Sequence, residues 1–505
     1  MSAPTYDLGQ LHGGLRLPAH KTQSTAQAIQ VVPIPSQLIL PITQHVGDAA
    51  QPLVAIGDRV LKGQMIAEAG GTLSAPVHAS SSGKVVAIEP WPVARRQGDN
   101  APCVVIECDG KDEAIDVGAP VDYTSQSPEE LLALILQGGI VGLGGAVFPT
   151  AQKLMQARTC EIDHLLLNGV ECESYISCDD MLMREHATEV ISGAQILMQA
   201  LQLDVCFIAV ESDKPDAINK LGEALAAVND PRFVIKQVPT IYPSGGEDQL
   251  VQLVTSREVP SGGLPSDVGC LVQNVGTATA IHDWINKGQP LISRVTTVTG
   301  DGVNKPMNVR ARIGTTIADI VEFTGGYSER AKQLIIGGPM TGNSVTTDRV
   351  PVVKATNCIL VSSETPSTGP ELPCIRCGAC AEVCPVQLQP QQLFWYAASD
   401  NEVKLREFGL IDCIECGCCD VVCPSHIPLT ADFRVAKGRI RELADEKARA
   451  ARARQRFEAR NDRLRQQRIE RDTELAEQKE SAKTAGPAAI AEILKRKQQE
   501  KKDQG

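Results

Sequence analysis

"GIVGLGGAVFPTAQKL", residues 139–154, is apolar, crowded with glycine, and ends on Phe-Pro ahead of a helical pattern. Such a stretch suits a membrane span, a core hairpin or a cradle for phosphate. The wider apolar run 131–148 approaches a membrane helix in length, with Gln137 its sole polar side chain. Its second half holds five glycines, each of which weakens a helix by about 1 kcal/mol relative to alanine. A span is disfavoured, and the run divides into a helix through Gln137 and then a loop. Because a helix precedes Gly138 and the glycine spacing departs from GxGxxG, this is not the dinucleotide fingerprint. What remains is Gly142, Gly144 and Gly145, where backbone can approach a ligand, and Phe148, Pro149 and Thr150 opening a helix. Proline suits a first helical turn, whose free N–H groups favour phosphate, and Lys153 can add charge there. By itself the loop also reads as a tight structural connection, and the surrounding sequence decides.

Around the loop, residues 125–290 alternate apolar strands ("HLLLNG", "VCFIAVES", "FVIKQVPT") with helical stretches such as "DAINKLGEALAAVN". That alternation predicts an α/β domain on a largely parallel sheet, with ligands at the strand ends. Residues 292–362 return to β character around one helix, "IADIVEFTG", as a compact α+β unit. Towards the N-terminus, 36–90 reads as short strands separated by Gly-Asp, Gly-Gly and Ser-Gly turns. Gly57-Asp58-Arg59-Val60, Gly63-Gln64, Ala75-Pro76 and Gly83-Lys84-Val85 there resemble a biotinyl or lipoyl carrier barrel. The tip, Ala69-Gly70-Gly71-Thr72, lacks the carrier lysine, so a structural or docking role is expected.

Beyond the linker "SSETPSTGPELP" come Cys374, Cys377, Cys380 and Cys384 before Pro385, then Cys413, Cys416, Cys419 and Cys423 before Pro424. Both runs are C-x2-C-x2-C-x3-C-P, the pattern of two-cluster ferredoxins, in which each fourth cysteine ligates the other cluster. One [4Fe-4S] cluster would use Cys374, Cys377, Cys380 and Cys423, the other Cys413, Cys416, Cys419 and Cys384. Structural zinc is the alternative, but it usually pairs two C-x2-C knuckles across a longer gap. Cys418 fits no ligand position. Cys103, Cys108, Cys160, Cys172, Cys178, Cys206, Cys270 and Cys358 lack ligand spacing and read mostly as small buried hydrophobes. Clusters accept single electrons whereas a nicotinamide gives two as hydride, so a flavin is the expected converter.

The chain has 505 residues, which suggests several domains. A formal charge of -12 argues against nucleic acid as a partner. The start, MSAPTYDLGQLHGGL, lacks a secretory pattern, which predicts a cytosolic chain, where the 17 cysteines serve as ligands or thiols more readily than as disulfides. After about 435 the sequence is rich in Arg, Glu, Ala and Gln. It reads as a long solvated helix with a loosely ordered end; its run "KARAARARQRFEARNDRLRQQR" could also meet anionic lipid or an acidic partner.

"GLGGAVFPTAQK", "NGVECES" (168–174), "YPSGGE" (242–247) and "VQNVGT" (272–277) together resemble the flavin- and NADH-binding subunit of respiratory complex I. With "GGLRLPAHKTQS" (13–24), the barrel and the cysteine block, the chain to about 435 resembles the RnfC family, NADH-oxidising subunits of the Rnf electron transport complex. The resemblance implies an FMN site in which Gly142, Gly144, Gly145 and Lys153 hold the phosphate side. It also implies that Asn168, Glu171, Tyr242 and Asn274 contact flavin or ribityl chain, with Thr277 in the same motif. Phe148, Glu173 and Glu247 would shape the NAD(H) pocket. Leu143, Val170, Gly246, Gln273 and Ser174 depart from the complex I pattern. The 292–362 unit resembles an SLBB β-grasp domain.

The expected architecture is multidomain α/β and α+β: a carrier-like β barrel-sandwich (1–120), an α/β FMN/NADH domain (121–290), an SLBB domain (291–365), a two-cluster ferredoxin-like domain (366–435) and a charged helical tail (436–505). The resemblance implies electron transfer between NAD(H) and ferredoxin through FMN and two [4Fe-4S] clusters. It further implies a peripheral place on the cytoplasmic face of the bacterial inner membrane, among partner subunits that couple electron flow to ion transport. A cobalamin reductase of the PduS type and a flavin-free two-cluster adaptor are the alternatives.

Overall fold

The computed structural model describes residues 8–94, 100–116, 120–364, 369–484 and 486–503. The first seven residues, the middle of the Ser/Thr/Pro linker at 365–368 and the division expected at 365/366 lie outside the described residues.

The α/β region is built on four parallel strands in the order Phe233–Val238, Cys206–Glu211, His164–Gly169, Cys270–Asn274. Their near-continuous apolar runs suit a parallel sheet covered on both faces. Side chains alternate between faces. Leu165, Leu167 and Ile208 join a core with Val190 and Ile281 from the helices Ala187–Leu201 and Val275–Lys287. Leu166 and Phe207 point the other way, onto Leu250 and Val254 of the helix Glu247–Thr255. Gly193 lets the first two helices touch, since a Cβ there would fall 1.8 Å from the Ala278 carbonyl oxygen. The chain enters at His164–Gly169, winds outward through two strands, then crosses back to Cys270–Asn274, so the order reverses between those two strands.

The helix ahead of the glycine loop spans Pro128–Gln137. Ser127 and Glu130 form a capping box and Pro128 opens the first turn. It ends at Gly138, against which the Trp284 ring packs too closely for any Cβ, and at Gly139 with φ +64°.

The N-terminal barrel-sandwich pairs an antiparallel sheet (Gln37–Pro41, Asn100–Cys108, Gly83–Pro92, Arg59–Val60) with a smaller one (Gln51–Pro52, Met65–Glu68, Val77–His78). Leu38, Leu40, Ile66, Val77, Val85 and Val104 fill the space between them. The SLBB sheet runs Gln30–Val31, Met307–Arg312, Ser293–Thr299, Cys358–Ser362, Gln333–Ile336, Asn343–Val345. The helix Ile317–Phe323 covers one face through Ile320 and Val321. Val295 and Leu360 on the other face pack on Ile176, Cys178 and Leu182 of the flavin region. The edge strand Gln30–Val31 comes from the N-terminal segment, where sequence patterning alone does not mark a strand.

The cysteine region is an internal duplication. Equal spacing relates Cys374 to Cys413, the left-handed residues Arg376 and Gly378 to Glu415 and Gly417, and Gln387 to His426. It also relates the short helices Ala379–Glu382 and Cys418–Val421. The helix Leu429–Thr484 begins here, so the division expected at 435/436 falls inside it. From Arg434 onward the chain is a separate unit. Towards its end Pro487–Asp503 is a second helix. Proline opens it, and the strong helix formers Ala, Glu, Leu and Lys carry it on. No helix among the described residues is long and apolar enough to cross a membrane.

Candidate functional site

Open α/β sheets bind ligands beyond the strand ends where strand order reverses. Here the reversal lies between His164–Gly169 and Cys270–Asn274, and register sets Asn168 directly beside Asn274. Asn274 Oδ1 accepts from Gly276 N–H at 2.8 Å, capping the next helix, while its Nδ2 donates to Asp179 at 2.7 Å. Asn168 Nδ2 donates to the Gly245 carbonyl at 2.9 Å, drawing the 242–247 motif to the same strand end.

The glycine loop arches over these asparagines. A bridge between Val141 and Pro149, with Gly142 N–H donating to the Phe148 carbonyl at 2.8 Å, closes its neck. Leu143 N–H donates to the buried Thr277 Oγ1 at 2.9 Å, tying the loop to the helix behind Asn274. Gly144 and Gly145 stand exposed at the crest, Gly145 at φ +109°. A Cβ on Gly145 would meet nothing within 4 Å, and one on Gly144 would first meet Asn274 at 3.5 Å, so bare backbone faces open space. The helix Thr150–Ala157 leaves the loop without a side-chain cap. Among the described residues, Thr150 Oγ1 and Gln273 Nε2 are buried without a hydrogen-bond partner. Free backbone, an uncapped helix start and two orphaned polar groups are what a phosphorylated, polyhydroxyl ligand would satisfy, so the residues fit FMN.

Below the asparagines lies a buried acid pair. Glu171, at φ +50°, accepts the N–H groups of Asp179 at 2.7 Å and Asp180 at 3.1 Å, at the start of the helix Cys178–Glu185. Burial, reinforced by the Asp179 carboxylate, pushes Glu171 up to about 7, against the pull of Lys21. Burial raises Asp179 as well, opposed by its bond from Asn274. Lys21, from the segment 13–24, donates to the Glu171 carbonyl.

Other expected site residues are engaged elsewhere. Lys153 binds Glu247 at 2.5 Å and the Val272 carbonyl at 2.8 Å, so two expected ligand contacts satisfy one another. Glu173 accepts from Met340 N–H at 2.7 Å, Thr341 N–H at 3.0 Å and the Thr341 hydroxyl, which ties it to the SLBB domain. Tyr242 donates its hydroxyl to the Cys416 carbonyl at 2.7 Å. Phe148 is half-buried at the loop's neck. Sequence reasoning misses Asp179, Lys21, Arg294 and Lys354. Lys21 lies within the 13–24 motif, whereas Arg294 sits in an ordinary strand pattern and carries no signal.

None of the described cysteines forms a disulfide. Cys374, Cys377, Cys380 and Cys423 line one hollow; Cys384, Cys413, Cys416 and Cys419 line a second, with Cys418 beside them. Each fourth cysteine thus faces the other run's triplet. Among the described residues, the groups of ligand atoms gathered within 4.8 Å are Asp163–His164–Cys270 and Glu171–Cys178–Asp179, neither drawn from these eight. Four thiolates around a hollow, spread wider than one ion would gather them, fit a cubane and not tetrahedral zinc.

Residues 9–111 match the family described as the RnfC barrel sandwich hybrid domain, 135–283 the Nuo51 FMN-binding domain, 295–344 the SLBB domain and 373–427 the 4Fe-4S dicluster domain. The C subunit of the ion-translocating oxidoreductase complex of Pseudomonas aeruginosa is 48% identical over 90% of this chain and 58% of its own length. The counterpart from Vibrio cholerae is 43% identical over 96% and 63%, and that from Citrobacter koseri 43% identical over 96% and 69%. The chain therefore spans 58 to 69% of these relatives' lengths. With the RnfC barrel-sandwich domain, an FMN-binding domain, an SLBB domain and a dicluster domain along it, and relatives of this identity, the chain belongs to the RnfC family, the C subunits of ion-translocating oxidoreductase complexes.

Proposed function

We propose that the chain accepts hydride from NADH at FMN held beside the Asn168–Asn274 strand ends and passes electrons singly through two [4Fe-4S] clusters. The observation that carries this reading is the bond from Tyr242, within the flavin-site motif, to the Cys416 carbonyl on the rim of the second cysteine hollow. Ser261 and Gly262 reinforce that seam by donating to Asp412 at 2.6 and 3.0 Å. FMN, when bound, supplies the exchange between a two-electron hydride and single electrons. The residues of the chain hold and orient it: Gly142 closes the neck of the loop, Gly144 and Gly145 at its crest let backbone N–H groups approach the phosphate, Asn168 and Asn274 offer amides to the ribityl and ring edge, and Phe148 offers a ring to the dinucleotide. Lys153, Glu247 and Glu173 would exchange their present partners for ligand groups. The set built on Cys413 is the nearer stop, and the set built on Cys374, whose Cys377 is exposed, faces outward.

In this reading the chain sits peripherally on the cytoplasmic face of the inner membrane. Partner subunits there carry electrons between it and ferredoxin and move the ion. The test is anaerobic turnover of the purified, cofactor-loaded chain with NADH. Ferricyanide should be reduced rapidly and cob(III)alamin slowly. Rapid cobalamin reduction without partners would support the reductase alternative, and failure to oxidise NADH with FMN bound would refute the proposal.

A further inference from the structure

Two basic side chains are buried where the SLBB sheet meets the glycine loop. Arg294, on the strand Ser293–Thr299, is 5% exposed, and Lys354, ahead of the strand Cys358–Ser362, is 1% exposed. Among the described residues neither makes a salt bridge, and both spend their donors on backbone carbonyls. Arg294 donates one Nη to the Leu143 carbonyl at 2.7 Å and the other to the Lys354 carbonyl at 2.6 Å, while its Nε has no partner. Lys354 Nζ donates to the carbonyls of Gly139 at 2.7 Å and Pro76 at 2.8 Å. Gln44 of the barrel accepts the Lys354 N–H at 3.1 Å. A guanidinium, and a lysine that burial lowers to about 7, are therefore withdrawn from water with carbonyls as their direct partners, an arrangement that costs stability and needs another reason to exist.

The carbonyls they hold supply that reason. A trans peptide unit is planar, so its N–H points opposite to its C=O. With the Leu143 oxygen drawn towards Arg294, the N–H of Gly144 is turned away from the SLBB sheet. The Gly139 oxygen drawn to Lys354 fixes the loop's entry from the preceding helix in the same way. A glycine-rich segment otherwise samples many backbone states, and ordering it during binding would subtract from affinity.

We propose that Arg294 and Lys354 are positioning residues through which the SLBB domain presets the glycine loop, aiming the Gly144 N–H at the flavin. This deepens the proposed function and rests on it. Without the brace the loop still closes at Val141–Pro149, but its crest loses the orientation that receives the phosphorylated ligand.

The test uses the full chain loaded with clusters, with FMN itself as probe, and compares R294M, K354M, R294K and the control T296V. Thr296 lies on the same strand and donates to the Thr356 carbonyl at 2.8 Å, with no bond to the loop among the described residues. Flavin fluorescence quenching gives the dissociation constant, and visible circular dichroism of bound flavin reports its surroundings. R294M and K354M should weaken FMN by about tenfold or more and change the dichroism. R294K should recover part of the affinity, and T296V should lower the melting temperature without moving either flavin readout. Parental affinity and dichroism in both methionine variants would overturn the brace, as would equal flavin loss in T296V. If R294M does not fold, K354M and R294K against T296V give the same decision. A parent chain that binds no FMN would instead remove the flavin reading, and the brace with it.

Discussion

Glu171 shows how one residue ties stability to the site. Its folded pKa of about 7 exceeds the ordinary carboxyl value of 4.5, so the folded state holds a proton that the unfolded chain releases. The stability this contributes is fully present below pH 4.5 and is lost as pH rises through 7. Glu171→Gln should flatten the melting temperature of the flavin-free chain across that window, removing a pH-dependent contribution on the order of 1–3 kcal/mol. An unchanged pH slope would assign the dependence to Asp179 instead. Which residues form the site is partly legible in the sequence. Asn168 and Asn274 are polar groups that end apolar strands, and a parallel sheet puts such ends at its binding edge. The contacts of Glu173 and Tyr242 are not legible, because their partners lie about 170 residues away in domains whose docking no local pattern encodes. Lys354 and Arg294 are hidden for a related reason: their significance is burial, and a charged residue in a sequence reads as exposed.

At the scale of elements, the cysteine spacing is the most legible feature, because ligand geometry constrains neighbours along the chain and three of each cluster's four ligands come from one short run. The duplicated halves place Cys423 with the first triplet and Cys384 with the second. Cys423→Ser should therefore cost about half the iron and remove the same electron paramagnetic resonance signal as Cys374→Ser. If it instead matched Cys413→Ser, the crossed ligation would be wrong. The helix Pro128–Gln137 is also readable, its stop marked by Gly138 and Gly139. Strand order in the α/β sheet is not, since apolar runs announce a parallel sheet without saying which strands are neighbours. The segment 13–24 stands out as a motif, but its reach does not show in the sequence. Leu15 pairs with Tyr242, Gly14 N–H donates to Val383, and Ser24 meets Ser177 in a buried network with Asn308. It has no helical or strand period because its partners belong to three different domains.

Across the main unit, these contacts bring three separately readable domains into one arrangement. The α/β sheet offers a ligand edge, the SLBB sheet braces the loop above it, and the cysteine region abuts the same edge through Tyr242 and Asp412. The central claim is that a flavin at this edge and the two cluster sites form one conducting unit. Its most direct test is an anaerobic absorbance spectrum of the purified chain, with iron and flavin assays, recorded before and after NADH is added. The account predicts iron and FMN in the same chain and bleaching of both flavin and cluster bands by NADH. Iron without flavin, clusters that stay oxidised beside reduced flavin, or zinc in place of iron would contradict it.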